Sequence, residues 1–236
     1  MKKVWILMLA SLLLVCAVAC KTQTAEQPDD AEEANDTPTA LVGGWTVSDS
    51  AEVTEAQKAL LDKALTGLVG ATYEPIAYLG SQLVAGTNHC LLCKVTPVVP
   101  EPESHYALVF LYEDFSGNVQ LMNVADVSLV PGAEADGEPL AGGWRFTDDP
   151  AVTPELKEVF DLALNGLVGT TYTPIAHLGT QVVAGTNHCF LCRCEAVSPE
   201  AAAYYTLMTV YQDLNGNAEL LEVNLFDYAS YCTYGA

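Results

Sequence analysis

Most of this chain is one sequence written twice. The clearest part of the repeat is Gln82–His89, which returns almost unchanged as Gln181–His188 at an offset of 99 residues (181 − 82). The offset continues without a gap through the surrounding sequence on both sides. Two copies are too few for a solenoid, which generally needs about three or more repeats to be stable. A unit of about 90 residues can bury a modest core of its own, so the repeat predicts two globular domains in series.

The repeat sets the predicted domain boundaries. Copy 1 comprises residues 41–130 and copy 2 comprises residues 140–236. Residues 131–139, which begin and end with Pro and contain Gly, Ala and acidic residues, are interpreted as a linker. Residues 20–40 place several acidic residues among Ala, Thr, Gln and Pro without an apolar period, which favours a disordered, self-repelling tether.

The N-terminus has the composition of an export signal. Two lysines precede an apolar run, and the small residues Ala17-Val18-Ala19 lead to Cys20. The pattern resembles a bacterial lipoprotein signal, in which residues 1–19 are removed and Cys20 carries the lipid. Ordinary secretion with cleavage after Ala19 fits the same residues. We expect an exported protein, held in the cell membrane or the outer membrane through a lipid anchor only, and facing the periplasm or the exterior.

The net charge of the chain argues against two classes of partner, nucleic acids and anionic lipid surfaces. The formal net charge is −21 at pH 7. Nucleic-acid binding draws most of its affinity from Lys and Arg contacts to phosphate, so this balance argues against it. It also argues against electrostatic docking onto anionic lipid.

Each copy predicts one helix followed by antiparallel strands. Thr54 and Gln57 have capping-box spacing, and Thr153 is followed by Pro154 at a first helical position. Apolar residues then recur at helical spacing, and glycines are expected to end the helices. Alternating segments beyond them are interrupted by two turn signals, which favours two hairpins per copy. We therefore predict an α+β fold, with one helix packed on a four- to five-stranded antiparallel sheet in each copy.

Two segments then carry a family resemblance. Gln181-Val182-Val183-Ala184-Gly185 is similar to the first-hairpin signature of the cystatins, inhibitors of papain-like cysteine proteases, and Gln82-Leu83-Val84-Ala85-Gly86 differs from it by one residue. A glycine pair before the helix, and the order of helix and strands, also resemble that family. The resemblance covers both copies and implies two tandem cystatin-like domains.

The resemblance also implies the residues that would contact a protease. In the family, an N-terminal trunk and two hairpins form a wedge that enters the protease cleft. The trunk and first-hairpin positions here are Gly43, Gly44, Gln82, Leu83, Val84, Ala85 and Gly86 in copy 1, and Gly142, Gly143, Gln181, Val182, Val183, Ala184 and Gly185 in copy 2. The second hairpin offers Phe115 and Leu214 in place of the Pro-Trp pair of the family.

These residues imply a reversible, non-covalent inhibitor of papain-like cysteine proteases, anchored at the cell envelope. The alternative is an envelope protein-binding module without inhibitory activity. Neither reading requires catalysis, a metal or a cofactor, and we expect a monomer. His89 and His188 follow the hairpin and are expected to be packing residues, not catalysts, and His177 is expected at the surface.

Six cysteines lie within the two copies: Cys90, Cys93, Cys189, Cys192, Cys194 and Cys232. Residues three apart in one strand are separated by roughly 10 Å and face opposite ways, so neither Cys-x-x-Cys pair is expected to form a disulfide. Cys194 and Cys232 occur only in copy 2, which favours them as a pair. A four-thiolate zinc site and a redox centre are less favoured, because strand geometry separates the thiols. The face shared by Cys93, Leu91 and His89 is expected to be the core, and the Lys94 face solvent.

Overall fold

The computed structural model describes residues 44–129, 143–198 and 201–232, which all fall in one compact unit. The two copies fold as the same series of elements. Copy 1 contains β1 (Trp45–Val47), α1 (Glu55–Ala64), β2 (Ala71–Val84), β3 (Gly86–Pro97), β4 (His105–Glu113) and β5 (Val119–Asp126). Copy 2 contains β6 (Trp144–Phe146), α2 (Pro154–Ala163), β7 (Thr170–Val183), β8 (Gly185–Ala196), β9 (Tyr204–Gln212), β10 (Ala218–Leu225) and a 3-10 turn (Tyr228–Tyr231).

The two helices begin where the capping residues predict. The Thr54 hydroxyl accepts from the Gln57 backbone N–H, and the Gln57 side chain accepts from the Thr54 N–H at 2.8 Å, which completes the capping box. In copy 2 the Thr153 hydroxyl accepts from the Leu156 N–H, with Pro154 in the first turn. Both helices end before the predicted glycines, at Ala64 and Ala163.

Each copy forms a five-stranded antiparallel sheet with neighbouring strands joined in chain order. Sheet 1 has the order β1-β2-β3-β4-β5, and sheet 2 has the order β10-β9-β8-β7-β6. The first hairpin of sheet 1 turns between Val84 and Gly86, which are paired in the register. The second turns between Glu113 and Val119. Copy 2 repeats both hairpins. In both copies, however, the covering of the two sheet faces differs from the prediction.

The predicted fold class is wrong. The described part of the chain is mostly β, and its two sheets pack on each other instead of belonging to two tandem helix-on-sheet, cystatin-like domains. The layer between them, which we call the inter-sheet core, contains Leu79, Leu92, Leu108 and Phe110 of sheet 1 and Leu178, Leu191, Tyr205 and Leu207 of sheet 2. The prediction assumed that the sheet face opposite each helix is exposed to solvent, whereas each sheet buries both of its faces. Leu92 shares the predicted solvent face with Lys94 yet is fully buried.

Each helix covers the other face of its own sheet. In copy 1, Leu61 packs with Leu91, Cys93 and Val109, which we call helix core 1. In copy 2, Phe160 packs with Phe190, Cys192, Cys194 and Met208, which we call helix core 2. Within the described residues, no helix has the length and apolar character needed to cross a membrane.

Reciprocal contacts join the two copies. The Tyr205 hydroxyl donates to the Leu79 carbonyl at 2.9 Å, and the Tyr106 hydroxyl donates to the Thr147 carbonyl at 2.8 Å. At Gly80 of sheet 1, an added Cβ would collide with the Tyr228 hydroxyl, so a side chain of copy 2 approaches this backbone closely. Gly179 of sheet 2 meets Leu129 of copy 1, the counterpart of Tyr228, in the same way. This pair of matching contacts gives the inter-sheet core an approximate two-fold character.

Candidate functional site: the hairpin ends

One end of each sheet brings together the three segments that the sequence singles out. In sheet 1, Trp45 at the start of β1 pairs with Gln82, and Thr87 at the start of β3 pairs with Glu113 at the end of β4. The first hairpin, the second turn and the N-terminal end of β1 therefore share one end of the sheet. We call it the hairpin end, and the opposite end the far end.

Sheet 2 builds an equivalent hairpin end. Trp144 pairs with Gln181, and Thr186 pairs with Gln212, the last residue of β9. Gly44 and Gly143 precede these first strands and are half-buried. Gly43 and Gly142 lie outside the described residues, as do Cys20, residues 1–40 and the linker at residues 131–139.

The tip of the first hairpin is held by a tyrosine from β4. The Tyr112 hydroxyl donates to the Ala85 carbonyl at 2.5 Å, and Tyr211 makes the equivalent bond to Ala184 at 2.6 Å. The sequence reasoning missed these two tyrosines. The available signal was their retention at matching positions of the repeat. Because its carbonyl is bonded within its own sheet, the tip presents a fixed backbone with the Ala85 side chain outward.

Gly86 is required by the hairpin itself. Its φ is 136°, a region that L side chains rarely adopt. An added Cβ would also collide with the Glu113 carbonyl and lie 2.7 Å from the Tyr112 ring. Gly185 repeats this arrangement with a φ of 140°. Both glycines are buried, so the outward contact surface of the tip comes from their neighbours.

The signature glutamines brace the first hairpin of each copy. The Gln82 side-chain oxygen accepts from the Asn88 side-chain amide at 2.7 Å, across the two strands that flank the tip. Gln181 and Asn187 repeat the bond at 2.7 Å. This pairing links β2 to β3, and β7 to β8, immediately below each tip, so it stiffens the tip.

The second turn of each copy is organised by an aspartate. The Asp114 carboxylate accepts from the Ser116 N–H at 2.8 Å and from the Asn118 N–H at 2.9 Å. The hydrogen bond from the Asn118 side chain, followed by those from the backbone N–H groups, holds the pKa of Asp114 below its usual value. Asp213 repeats the arrangement. The residue after each aspartate is pushed into solvent: Phe115 is 84% exposed and Leu214 is 86% exposed.

Each hairpin end is therefore rigid in its backbone and apolar at its surface. In copy 1, Leu83 and Ala85 are exposed and Val84 is half-buried. In copy 2, three consecutive residues, Val182, Val183 and Ala184, are exposed. A shallow depression of about 340 Å³ lies behind the first tip and is lined by Val84, Ala85, Tyr112, Gln120 and Met122. Such a surface can bury small apolar groups against a partner with little loss of conformational freedom.

Buried histidines lie beneath each first hairpin. In copy 1, His89 Nδ1 is 2.8 Å from the Tyr78 hydroxyl. In copy 2, His188 Nδ1 is 3.2 Å from His177 Nε2. Burial, reinforced by the neighbouring His188, lowers the pKa of His177 to about 4, and burial also lowers the pKa of His188. His177 is buried, so the surface position predicted for it is wrong.

The cysteines face different layers. Cys90 and Cys189 lie in the inter-sheet core, whereas Cys93 and Cys192 lie in helix cores 1 and 2. The prediction that the two cysteines of each Cys-x-x-Cys pair face opposite sides of the strand is thus confirmed. Burial raises the pKa of the Cys93 and Cys189 thiols to about 12, which disfavours their reactive thiolate form.

The pairing of Cys194 with Cys232 does not occur in the structure. Cys194 lies in helix core 2, while Cys232 packs against the inter-sheet core on the opposite side of sheet 2. All six cysteines of the described residues are free thiols. Among these residues there is no cluster of three or more His, Cys, Asp or Glu side chains that could hold a metal ion.

Comparison with known proteins adds little to this geometry. No protein-family model matches the chain, and no curated protein matches it. A solved structure described as an Ntf2 like protein involved in plasmid conjugation has 10% sequence identity, and the match covers 67% of this chain and 79% of that one. Its TM-score of 0.21 is too low to assign a fold.

Proposed function

We propose that this chain is a reversible, non-covalent inhibitor of papain-like cysteine proteases and has no catalytic activity of its own. The observation that carries the proposal is the hairpin end, where a hydrogen-bonded apolar tip, an exposed apolar turn residue and the start of the first strand meet at one end of a sheet. The resemblance of the tip sequences to the cystatin signature supplies the class of partner. The chain provides this surface twice.

The proposed mechanism is steric occlusion of the protease cleft. The apolar tip, with Ala85 or Ala184 outward, enters the cleft, and Phe115 or Leu214 contacts an adjacent wall. Burial of apolar surface contributes about 25 cal/mol per Å². Because the tip backbone is bonded within its own sheet, little conformational entropy is lost on binding. The tip is a tight turn between paired strands, a geometry that does not offer an extended backbone for cleavage.

We further propose that the inhibitor acts at the cell envelope of a bacterium. The small residues before Cys20 support lipidation after removal of residues 1–19, and residues 20–40 would then act as an acidic tether. A Cys20→Ala variant tests this idea by cell fractionation and mass spectrometry. Loss of lipid and release from the membrane are expected, whereas normal processing and membrane retention would contradict the anchor.

Inhibition is tested by titrating papain with the fragment of residues 21–236, with four single variants and with one double variant. Ala85→Glu and Ala184→Glu place a carboxylate on each exposed tip, where binding would bury it without a partner. A penalty on the order of 3 kcal/mol raises the inhibition constant of the altered end roughly 100-fold. Val69→Glu and Val168→Glu are matched controls, because both valines are exposed just before the first long strand, at the far ends. These controls should inhibit as the unmodified fragment does.

Two results would contradict the proposal in different ways. If the unmodified fragment at micromolar concentration leaves papain and a panel of related proteases active, the chain is not an inhibitor, and the binding-module alternative takes its place. If the fragment inhibits but the doubly substituted Ala85→Glu, Ala184→Glu variant inhibits equally well, the hairpin ends are not the inhibitory surface.

A further inference from the structure

The two hairpin ends lie far from each other in the folded unit. Trp45, at the hairpin end of sheet 1, stacks edge-on against Tyr228 with ring centroids 5.5 Å apart. Tyr228 in turn packs against Tyr205 at 5.7 Å, and Tyr205 is the second residue of β9, near the far end of sheet 2. The hairpin end of sheet 1 therefore lies over the far end of sheet 2, and the two hairpin ends do not meet.

The contacts of the other copy give the same arrangement. Tyr106, the second residue of β4 and near the far end of sheet 1, packs its ring against Phe146 of β6 with centroids 5.6 Å apart. Phe146 pairs with Gly179, in the half of β7 nearer its hairpin. If the two hairpin ends lay side by side, residues near the hairpin end of one sheet would contact residues near the hairpin end of the other. Instead, residues near the far end of each sheet contact residues nearer the hairpin end of the other.

The separation is large enough to matter for a protein partner. β2 and β7 have 14 residues each, which corresponds to about 45 Å at roughly 3.3 Å per residue. Since the hairpin end of one sheet lies over the far end of the other, the two tips are separated by a distance on the order of one strand length. The tip alanines, Phe115 and Leu214 are all exposed while the inter-sheet core is fully assembled.

We infer that one chain binds two protease molecules at the same time, one at each hairpin end. This inference rests on the proposed function and adds its stoichiometry. The inter-sheet core holds the copies together through residues away from the tips, so occupation of one end neither covers nor requires the other. A single folded unit is therefore a bivalent inhibitor.

The stoichiometry is measured by light scattering on complexes separated by size exclusion. The probe is papain whose catalytic thiol is carboxymethylated, which prevents cleavage during the run. With excess papain, the fragment of residues 21–236 should carry two papain molecules. Ala85→Glu and Ala184→Glu should each carry one, the double variant none, and the control Val69→Glu two.

Each other outcome is decisive. If the unmodified fragment saturates at one papain while each single variant still binds one, the ends exclude each other; the bivalency is then refuted and the proposed function stands. If the unmodified fragment binds one papain and a single substitution abolishes binding, only one end is functional, and the bivalency is again refuted. If the unmodified fragment forms no complex, the proposed function itself fails.

Discussion

The shared inter-sheet core predicts that a cavity in one copy destabilises both. Leu191 is fully buried between the sheets, beside Ala176 of β7 and Leu207 of β9. Replacing a buried Leu by Ala removes its apolar contacts and leaves a cavity, at a cost of about 2–5 kcal/mol. Leu191→Ala should lower the free energy of unfolding by this amount.

The magnitude translates into a clear thermal shift. For a unit of roughly 190 residues, 1 kcal/mol lowers the Tm by about 2–4 °C, so a loss of about 3 kcal/mol lowers it by roughly 6–12 °C. Leu162→Ala is the matched control, because Leu162 lies on α2 and is 49% exposed. It should change the Tm by no more than about 2 °C.

Calorimetry and hydrogen exchange read out the coupling. Calorimetry should show a single transition for the parent and for Leu191→Ala. Hydrogen exchange followed by mass spectrometry should show reduced protection in β3 and β4 of copy 1, although the substitution is in copy 2. If copy 1 keeps its full protection while copy 2 loses its own, or if calorimetry resolves two transitions, the copies unfold independently and the shared core is refuted.

Two further predictions concern polar contacts. The pKa of His177 is about 4 in the folded state, below its unfolded value of about 6.5. Between these pH values the unfolded chain therefore binds more protons than the folded chain. The contribution of His177 to the free energy of unfolding is fully present above pH 6.5 and falls towards pH 4, by at most about 3 kcal/mol. His177→Tyr, which restores the residue found at Tyr78, should flatten this slope in urea titrations at a series of pH values, and an unchanged slope would assign it to other groups. Tyr205→Phe removes the hydrogen bond to the Leu79 carbonyl, but that carbonyl keeps the Ser48 N–H as a donor. We therefore expect the free energy of unfolding, measured in urea, to fall by about 1 kcal/mol. A fall above about 3 kcal/mol would show that the hydroxyl does more than donate this one bond.

Local elements could be predicted from the sequence because nearby residues decide them. The capping box of Thr54 and Gln57 fixes a helix start through bonds within four residues. The turn of residues 114–118 is likewise held by one aspartate and its immediate neighbours. Copy 2 reproduces the aspartate turn at Asp213, whereas at its helix start it keeps the N-cap Thr153 but has Leu156 in place of Gln57.

The association of the sheets could not be predicted in the same way, because its partners are distant in sequence. Lys94 marks one face of β3 as solvent, yet its ammonium group reaches the Asp148 carbonyl of copy 2, while Leu92 on the same face is buried. Long side chains of this kind can keep a charged head at the margin of a buried layer. The contrary signal was the unbroken apolar run Cys90-Leu91-Leu92-Cys93, which is typical of strands covered on both faces.

The sequence indicated where the candidate site lies, but not which of its residues are buried and which are exposed. The family resemblance implied that the tips and the second turns share one edge of the sheet. It could not show that Gly86 is buried under its own hairpin, since that depends on Tyr112 and Glu113, which arrive from β4. The side chains that remain available to a partner follow from this burial.

The reciprocal contacts between the copies have a consequence for folding at high concentration. The copies are joined covalently through residues 131–139, so each copy meets its partner in the same chain at an effective concentration that dilution does not change. Copy 1 of one chain presents to copy 2 of a second chain the same surface that it presents to its own. Two partly unfolded chains can therefore satisfy every inter-sheet contact by exchanging copies. Refolding at rising concentration should yield intertwined pairs that display four hairpin ends instead of two.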